Sequence, residues 1–324
     1  MQKLGPVPFL IAAALMALLP VLFPSPYHIQ LLTQLLIWTI LFTGFDIAVG
    51  HAGLVSVAHG ALFGLGAYVT GVLGVSAGWG FWATLPVSIL FGAAVGLAIG
   101  LLTLRLGGHY FVIATLGIGL LIVIVIRNWS SVTNGELGLS PVPQMLPFRQ
   151  LPISQSLATY YLIAAVSGGC VLLSYGLMRT ATGQRLRAIR DNAALAAAVG
   201  IDVSRARLVA FMISAGVAAF AGSFQASYLS YITPSIASYE VGFTALMAII
   251  IGGRGTLAGP YLGAAVFVIL PELLRSADEY RLIVLGALLI VMILFAPEGL
   301  VGLAKAAIRR LSGPRHAKPA RAAR

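Results

Sequence analysis

Long apolar runs alternate with short polar connections along the chain, a pattern that predicts membrane-spanning helices. Residues 82–104 carry no charged side chain, and residues 207–230 carry one, Arg207, at their start. A membrane span needs about 20 consecutive apolar residues. Breaks in the pattern give ten predicted segments: 9–23, 30–49, 54–75, 82–104, 110–126, 158–178, 207–230, 241–252, 257–271 and 282–297.

The first and the two shortest segments allow alternatives. Residues 9–23 follow Lys3 and resemble a signal peptide, but a small-residue cleavage site is missing and Pro24 follows, which favours an uncleaved first helix. Segments 241–252 and 257–271 form either two short helices or a re-entrant pair, since non-helical backbone is tolerated at membrane depth inside protein. Four glycines interrupt this pair: Gly252, Gly253, Gly255 and Gly259.

Composition supports a lipid environment. Of the 324 residues, 59% are hydrophobic and 9% are charged, whereas a soluble domain has about 25% charged residues. The net charge of +11 could indicate nucleic-acid binding, but the basic residues stand in blocks beside apolar segments without interleaved aromatics. We therefore predict an all-α, polytopic membrane bundle that binds no nucleic acid.

The basic residues also predict the topology. With ten spans and a cytoplasmic N-terminus, sixteen of the twenty Lys and Arg residues fall on the cytoplasmic side, as the positive-inside rule requires. A single membrane domain, 1–324, then has an external loop at 127–157, a cytoplasmic loop at 179–206 and a basic tail at 305–324 that contacts anionic lipid. We expect no soluble domain, so any ATP hydrolysis belongs to another chain.

Catalytic patterns are missing from the sequence. It has no Walker A, paired-cysteine or HExxH motif, and its five histidines are scattered. We predict no enzyme activity, no metal and no cofactor. The single cysteine, Cys170, cannot form an intramolecular disulfide. Asp46 is the one acid well inside a predicted span, and both a functional and a structural role fit its place near the inner helix end.

Glycine patterns suggest close helix packing in both halves of the chain. Gly60 and Gly64 form a GxxxG pair within residues 53–68, and residues 251–265 form a second glycine-rich stretch. Tight packing is one interpretation, and an inverted repeat with discontinuous helices around a central pathway is the other. The predicted packing or pathway residues are Gly53, His59, Gly60, Gly64, Gly252, Gly253 and Gly255.

The loop at 179–206 predicts a short amphipathic helix over 184–199. Its apolar stripe consists of Leu186, Ile189, Ala193 and Ala196. Gly200 is expected to end this helix, and Asp202 or Ser204 to cap the next one. The stripe faces either lipid or a groove on a partner protein.

Several blocks carry a resemblance that covers about residues 30–303. They read GHAGLVSVAHGALFGLGAY (50–68), RLGGHYFVIATLGIG (105–119), TNGELGLS (133–140), AFMISAGVAAFAGS (210–223), GGRGTLAGPYLGA (252–264) and APEGLVGL (296–303). With these motifs the chain resembles the permease subunits of ATP-binding-cassette importers for branched-chain amino acids. This family contains the LivM and LivH proteins, and the chain is closer to the LivM side.

The resemblance implies a function for the cytoplasmic loop. It would contact the ATPase, with Gly183, Arg190, Asp191, Asn192 and Gly200 at matching positions. Ala193 and Ala197 stand where the family commonly has glutamates, so the contact would depend on shape and on arginines. Arg187 completes the set of expected coupling residues.

The resemblance also implies partners and a mechanism. These are a LivH-like second permease subunit, two ATPase subunits and a periplasmic or extracellular binding protein, in a bacterial inner membrane. Transport would proceed by alternating access. Two alternatives remain open: the same importer class carrying urea, amides or a sugar, and an ion-coupled carrier or channel.

Overall fold

The computed structural model describes residues 16–146, 154–274 and 299–311, with scattered positions between 283 and 294. This part of the chain is helical apart from turns and one isolated β-bridge between Leu139 and Ile232. The α-helices of six or more residues are α1 (Pro26–Asp46), α2 (His59–Ala77), α3 (Phe81–Thr103), α4 (Gly108–Asn128), α5 (Gln155–Arg179), α6 (Ala181–Asp191), α7 (Ala193–Ala198), α8 (Val203–Leu229), α9 (Tyr239–Gly252), α10 (Gly259–Leu273) and α11 (Gly299–Leu311). Shorter helical turns lie at Ser130–Thr133, Gly135–Leu137 and Pro234–Ala237.

Within the described residues, six helices are long and apolar enough to cross a membrane: α1 to α5 and α8. The predicted all-α, polytopic membrane bundle is therefore confirmed, but the count of six is below the predicted ten. Helices α9 and α10 have only 14 and 15 residues. At about 1.5 Å per residue they are shorter than the ~30 Å hydrocarbon core. The predicted span 9–23 is described only from residue 16 onward, and the predicted span 282–297 only at scattered positions.

Helix α8 is the central element and packs most extensively on α3, α2 and α1. Small residues permit this packing. A Cβ at Gly92 or Gly96 of α3 would collide with the Ala219 or Ala215 methyl group of α8. The two backbones therefore approach closely. In lipid, where the hydrophobic effect does not drive helices together, such close van der Waals packing holds them.

The C-terminal end of α1 shows one of the predicted discontinuities. A π-helical turn, Ile47–His51, ends the helix, and residues 52–58 are non-helical before α2 begins at His59. The freed backbone groups find partners: Leu54 N–H donates to Ala48 O (2.8 Å) and Val57 N–H to Thr115 Oγ1 (3.3 Å). This satisfies the demand for internal hydrogen bonds at membrane depth. The inverted repeat itself stays a prediction.

The segment before α9 explains why this helix is short. Residues 230–238 run along α2, with Ile232 close to Gly71 and Ala237 close to Gly64. Helix α9 then begins beside Gly60, in the first turn of α2. The chain thus covers part of the bundle's height without an α-helix, in a segment that is packed against protein and contains one 3₁₀-helical turn, Pro234–Ala237.

The predicted cytoplasmic loop differs from a single helix over 184–199. It forms two helices, α6 and α7, because Asn192 is extended (φ −158°, ψ 102°) and its side chain accepts a hydrogen bond from Leu195 N–H (3.0 Å). Ser and Asn side chains compete with helical hydrogen bonds in this way. We call the end of the bundle that carries this loop the inner end, and the opposite end the outer end.

Candidate functional site

Three sequence blocks that are far apart in the chain meet at the inner end. Asp46 Oδ1 accepts a hydrogen bond from Gly255 N–H (2.8 Å), and Arg190 Nη1 donates one to Gly50 O (2.6 Å). We call these four residues the inner junction. It ties the end of α1, the turn between α9 and α10, and helix α6 into one unit.

Glycine is required at the junction for close backbone approach. Gly255 has φ +67°, and a Cβ there would lie 3.0 Å from both Arg190 Nη1 and Gly50 O. A Cβ on Gly50 would collide with Asp46 Oδ1. Gly53, at φ +69°, lies against the Arg190 side chain. The glycines therefore let charged side chains reach backbone groups that a side chain would cover.

The charges of the junction are partly compensated. Asp46 is buried, and a buried carboxylate is costly unless it is paired or hydrogen-bonded. The Gly255 N–H supplies one bond, and His51 Nε2 lies 3.6 Å from the other oxygen, Oδ2. Arg190 also donates to Asp191 Oδ1 from Nε and Nη2, both at 3.2 Å. That pair is exposed, so it contributes little to stability.

The apolar stripe of α6 faces the chain itself, contrary to both sequence interpretations. Leu186 and Ile189 are each 1% exposed, and Leu186 belongs to the main hydrophobic core. Gly183 allows this contact, since a Cβ there would collide with the Met178 backbone. Arg187 Nη2 donates to Met178 O (2.8 Å). The periodicity identified the apolar face correctly, but the surface that it covers is the inner end of α5 and α8.

Helix α7 presents the exposed part of the loop. Leu195 and Val199 are 63% and 71% exposed, and only Ala196 of this helix is buried. Gly200, at φ +85°, ends the helix as predicted: Ile201 N–H donates to Ala196 O and Gly200 N–H to Ala197 O, the Schellman arrangement. Asp202 caps α8 by accepting from Arg205 N–H (2.9 Å). Leu195 and Val199 thus form a small exposed apolar surface, which we call the α7 knob.

The predicted glycine pair lies elsewhere, in the first two turns of α2. A Cβ on Gly60 would collide with Ser238 O, and a Cβ on Gly64 with Ala237. Both glycines therefore face the start of α9 and the segment that precedes it. The structure does not bring them to the inner junction.

Two other predicted glycines, Gly252 and Gly253, lie where α9 ends and the turn towards α10 begins. A Cβ on Gly252 would collide with Gly259 O, and Gly253 has φ +118°. Thr256 Oγ1 donates to Gly253 O (2.7 Å) and accepts from Gly259 N–H (3.1 Å). This turn places Gly255 beside Asp46.

His59 occupies a polar contact that the sequence did not explain. It is fully buried between the rings of Phe45 and Phe211, with Nε2 2.7 Å from Ser214 Oγ. Ser214 Oγ in turn donates to Gly44 O (2.7 Å). With that bond in place, the Nε2–H tautomer is the one that donates to Ser214. The chain of bonds joins α2, α8 and α1.

Sequence reasoning missed several serines of this kind. Ser223 Oγ and Ser88 Oγ lie 2.7 Å apart where α8 crosses α3. Their signal was weak, since a serine inside an apolar run is compatible with many packings. Within the described part of the chain, no group of three His, Cys, Asp or Glu residues could hold a metal ion.

This architecture defines a polytopic membrane subunit whose helical loop at one face is tied to breaks in its membrane helices. The chain belongs to the family described as "branched-chain amino acid transport system / permease component", whose model matches residues 27–293. It is therefore a transmembrane permease subunit, as the sequence motifs suggested.

Curated relatives agree with this family. The chain is 30% identical to the high-affinity branched-chain amino acid transport permease LivM of Salmonella typhimurium, over 92% of this chain and 77% of that protein. Identity to LivM of Escherichia coli K12 is 28%, over 94% and 77%. Identity to LivH of Escherichia coli K12 is 25%, over 82% and 91%. No solved structure matches the chain.

Proposed function

We propose that this permease subunit carries branched-chain or related amino acids across a bacterial inner membrane. It would pair with a LivH-like permease and receive cargo from a periplasmic or extracellular binding protein. The observation that supports this best is the similarity to two LivM proteins over more than nine-tenths of the chain. Two ATPase subunits would supply the energy, because the chain has no nucleotide-binding motif.

The structure suggests how the loop would pass movement to the membrane helices. The α7 knob would enter an ATPase groove, and α6 would move with it. Because Arg190 holds Gly50 O and Asp46 holds Gly255 N–H, movement of α6 would act directly on two breaks in membrane helices. Breaks of this kind are where transporter helices reorient during alternating access.

Reconstitution tests the cargo. The purified permease pair, ATPases and binding protein are placed in liposomes, and ATP-dependent uptake of labelled L-leucine is compared with uptake of labelled urea. We expect leucine uptake and no urea uptake. Urea uptake without leucine uptake would contradict the proposed cargo, while uptake of either without ATP would contradict the importer class.

A second cargo has one specific observation in its favour. The chain is 29% identical, over 65% of its length, to the autoinducer 2 import permease LsrC of Enterobacter sp. strain 638. Autoinducer 2 is therefore the second candidate cargo. Competition of unlabelled autoinducer 2 against leucine uptake distinguishes the two.

The proposed sidedness is tested by labelling. Ser204 and Ser140 are both exposed, at the inner and outer ends. In a Cys170→Ser background, Ser204→Cys should react with a membrane-impermeant maleimide only in inside-out vesicles, and Ser140→Cys only in intact spheroplasts. Reaction of both from the same side would refute the assignment of 127–157 and 179–206 to opposite faces.

A further inference from the structure

A pocket of about 430 Å³ lies beside the inner junction. Helices α1, α5, α6 and α11 and the turn before α10 form its walls. Small-molecule sites typically occupy about 300–1,000 Å³, so the volume accommodates a small metabolite.

Charges of both signs line this pocket. Asp46 lies on one wall, while Arg187 and Arg190 lie on another. Asp46 Oδ1 is used by Gly255 N–H, which leaves Oδ2 with only His51 at 3.6 Å. Arg187 has five N–H donors, and its bond to Met178 O uses one of them. A ligand with a single charge would be attracted by one wall and repelled by the other.

The rest of the lining is mainly apolar. Val171 and Met178 come from α5, Leu257 and Pro260 from the turn and α10, and Val301 from α11. A bound molecule would therefore place an uncharged, water-avoiding part against these side chains.

One residue that lines the pocket also carries an unpaired polar atom. His51 lines the pocket and is 8% exposed, yet its Nδ1 atom is buried without a hydrogen-bond partner. Buried polar atoms are nearly always paired in folded proteins. His51 therefore has hydrogen-bonding capacity that the described residues do not use.

We propose that this pocket binds a small apolar zwitterion, an α-amino acid with an aliphatic side chain. The ammonium group would face Asp46 Oδ2, the carboxylate would face Arg187, and the aliphatic part would contact Val171, Met178 and Leu257. Because Asp46 and Arg190 belong to the inner junction, occupancy would report the inner concentration of the amino acid to the coupling loop. The regulatory part of this idea rests on the proposed function.

An aminophospholipid headgroup shares this chemistry, since it also combines an ammonium group with an anionic oxygen. The binding assay therefore uses nanodiscs of phosphatidylglycerol alone, which lack that headgroup. Labelled L-leucine is titrated onto the complex of permeases and ATPases, without binding protein or nucleotide. We expect saturable binding. Its absence would overturn the proposal.

Two ligand analogues test the charges. 4-Methylpentanoate lacks the ammonium group and 3-methylbutylamine lacks the carboxylate, so each should bind about tenfold or more weakly than leucine, given the strength of charged hydrogen bonds. Asp46→Asn should remove most of the preference for leucine over 4-methylpentanoate, because Asp46 is the proposed contact of the ammonium group. Arg187→Gln should remove most of the preference for leucine over 3-methylbutylamine, because Arg187 is the proposed contact of the carboxylate. Unchanged preferences in both variants would refute the assigned contacts even if leucine binds.

A matched pair of variants tests the location. Ser174 lines the pocket, so Ser174→Phe should fill it and weaken leucine binding about tenfold or more, as expected when a filled cavity excludes its ligand. Its neighbour Leu173 is 75% exposed, and Leu173→Phe should bind like the wild type. Equal binding by the two variants would overturn the location.

Two further measurements complete the test. One separates the free amino acid from the lipid headgroup as the ligand, and the other separates this pocket from the proposed transport function. Weaker leucine binding in discs that contain phosphatidylethanolamine would show that the headgroup competes for the pocket, whereas unchanged binding assigns it to the free amino acid. Leucine uptake by the wild type is measured in parallel with the binding protein present. Normal uptake without binding in the nanodiscs would overturn this pocket and leave the proposed transport function intact.

Discussion

The two helices of the inner loop are neighbours in the chain and lie in opposite environments. Helix α6 buries its apolar residues in the chain's own core, with Leu186 at 1% exposure, whereas α7 leaves Leu195 at 63%. An extended residue, Asn192, separates them. The difference indicates that one helix belongs to the permease and the other is available to a partner. A single helix, as the sequence predicted, would not have divided these roles.

The largest effect should come from a charge in the buried half. Leu186→Glu places a carboxylate in the core, where an uncompensated charge costs about 3–5 kcal/mol. We expect loss of folded protein, measured as the monodisperse fraction in size-exclusion chromatography after mild heating. Leu195→Glu is the matched control and should fold normally while losing the ATPase in co-purification. Equal stability of the two variants would contradict the contrast between α6 and α7.

The same contrast between packed and open positions can be tested inside the membrane. Gly64 faces Ala237 at a distance too short for a Cβ, whereas Gly117 on α4 has open space around it. Gly64→Leu should destabilise the fold by about 1–3 kcal/mol through overpacking, measured as a lower midpoint of thermal unfolding. Gly117→Leu should leave that midpoint nearly unchanged. An equal midpoint for both would mean that the α2 face does not pack as the structure shows.

Arg190 provides a test of the link between the loop and the membrane helices. Arg190→Ala removes the bond to Gly50 O, and a charged hydrogen bond of this kind contributes about 1.5–3 kcal/mol. We expect leucine uptake to fall about tenfold while ATPase co-purification is retained, because α7 is untouched. Arg190→Lys should recover only part of the uptake, since one ammonium cannot reproduce the guanidinium geometry. Loss of the ATPase in these variants would place Arg190 in the partner interface instead.

Much of the fold could be predicted from the sequence because lipid imposes a strong length requirement on helices. Each of the six long helices overlaps a predicted segment, and Gly200 and Asp202 end and cap helices as their residue types suggest. The two short helices were miscounted as spans, since hydropathy does not show that residues 230–238 run along α2 without forming an α-helix. Periodicity likewise shows which face is apolar, but not which surface covers it.

The candidate site was predicted only in its parts. The residues of all three blocks were singled out, yet no pattern in the sequence shows that Gly50, Arg190 and Gly255 meet. That contact depends on tertiary packing between residues separated by 140 positions. The Ser214 bond to His59 was missed for the same reason. The roles assigned to these residues remain predictions.

The smallest expected effect belongs to Arg185, and its size separates a lipid-binding loop from a docking loop. Arg185 is exposed on α6, on the same helix as Arg190, which is held in the junction. If the loop binds anionic lipid through its charge, each arginine removed costs about 1 kcal/mol, whichever one it is. Uptake by Arg185→Gln would then fall about fivefold. If the loop acts through the junction and the α7 knob, Arg185→Gln should change uptake by less than about twofold, as exposed charges usually do. Uptake is measured in liposomes with and without phosphatidylglycerol, alongside Arg190→Gln. The docking interpretation requires that Arg190→Gln loses much of its uptake in both lipid compositions. If the two variants instead lose equal uptake, and only with anionic lipid, the docking interpretation is refuted.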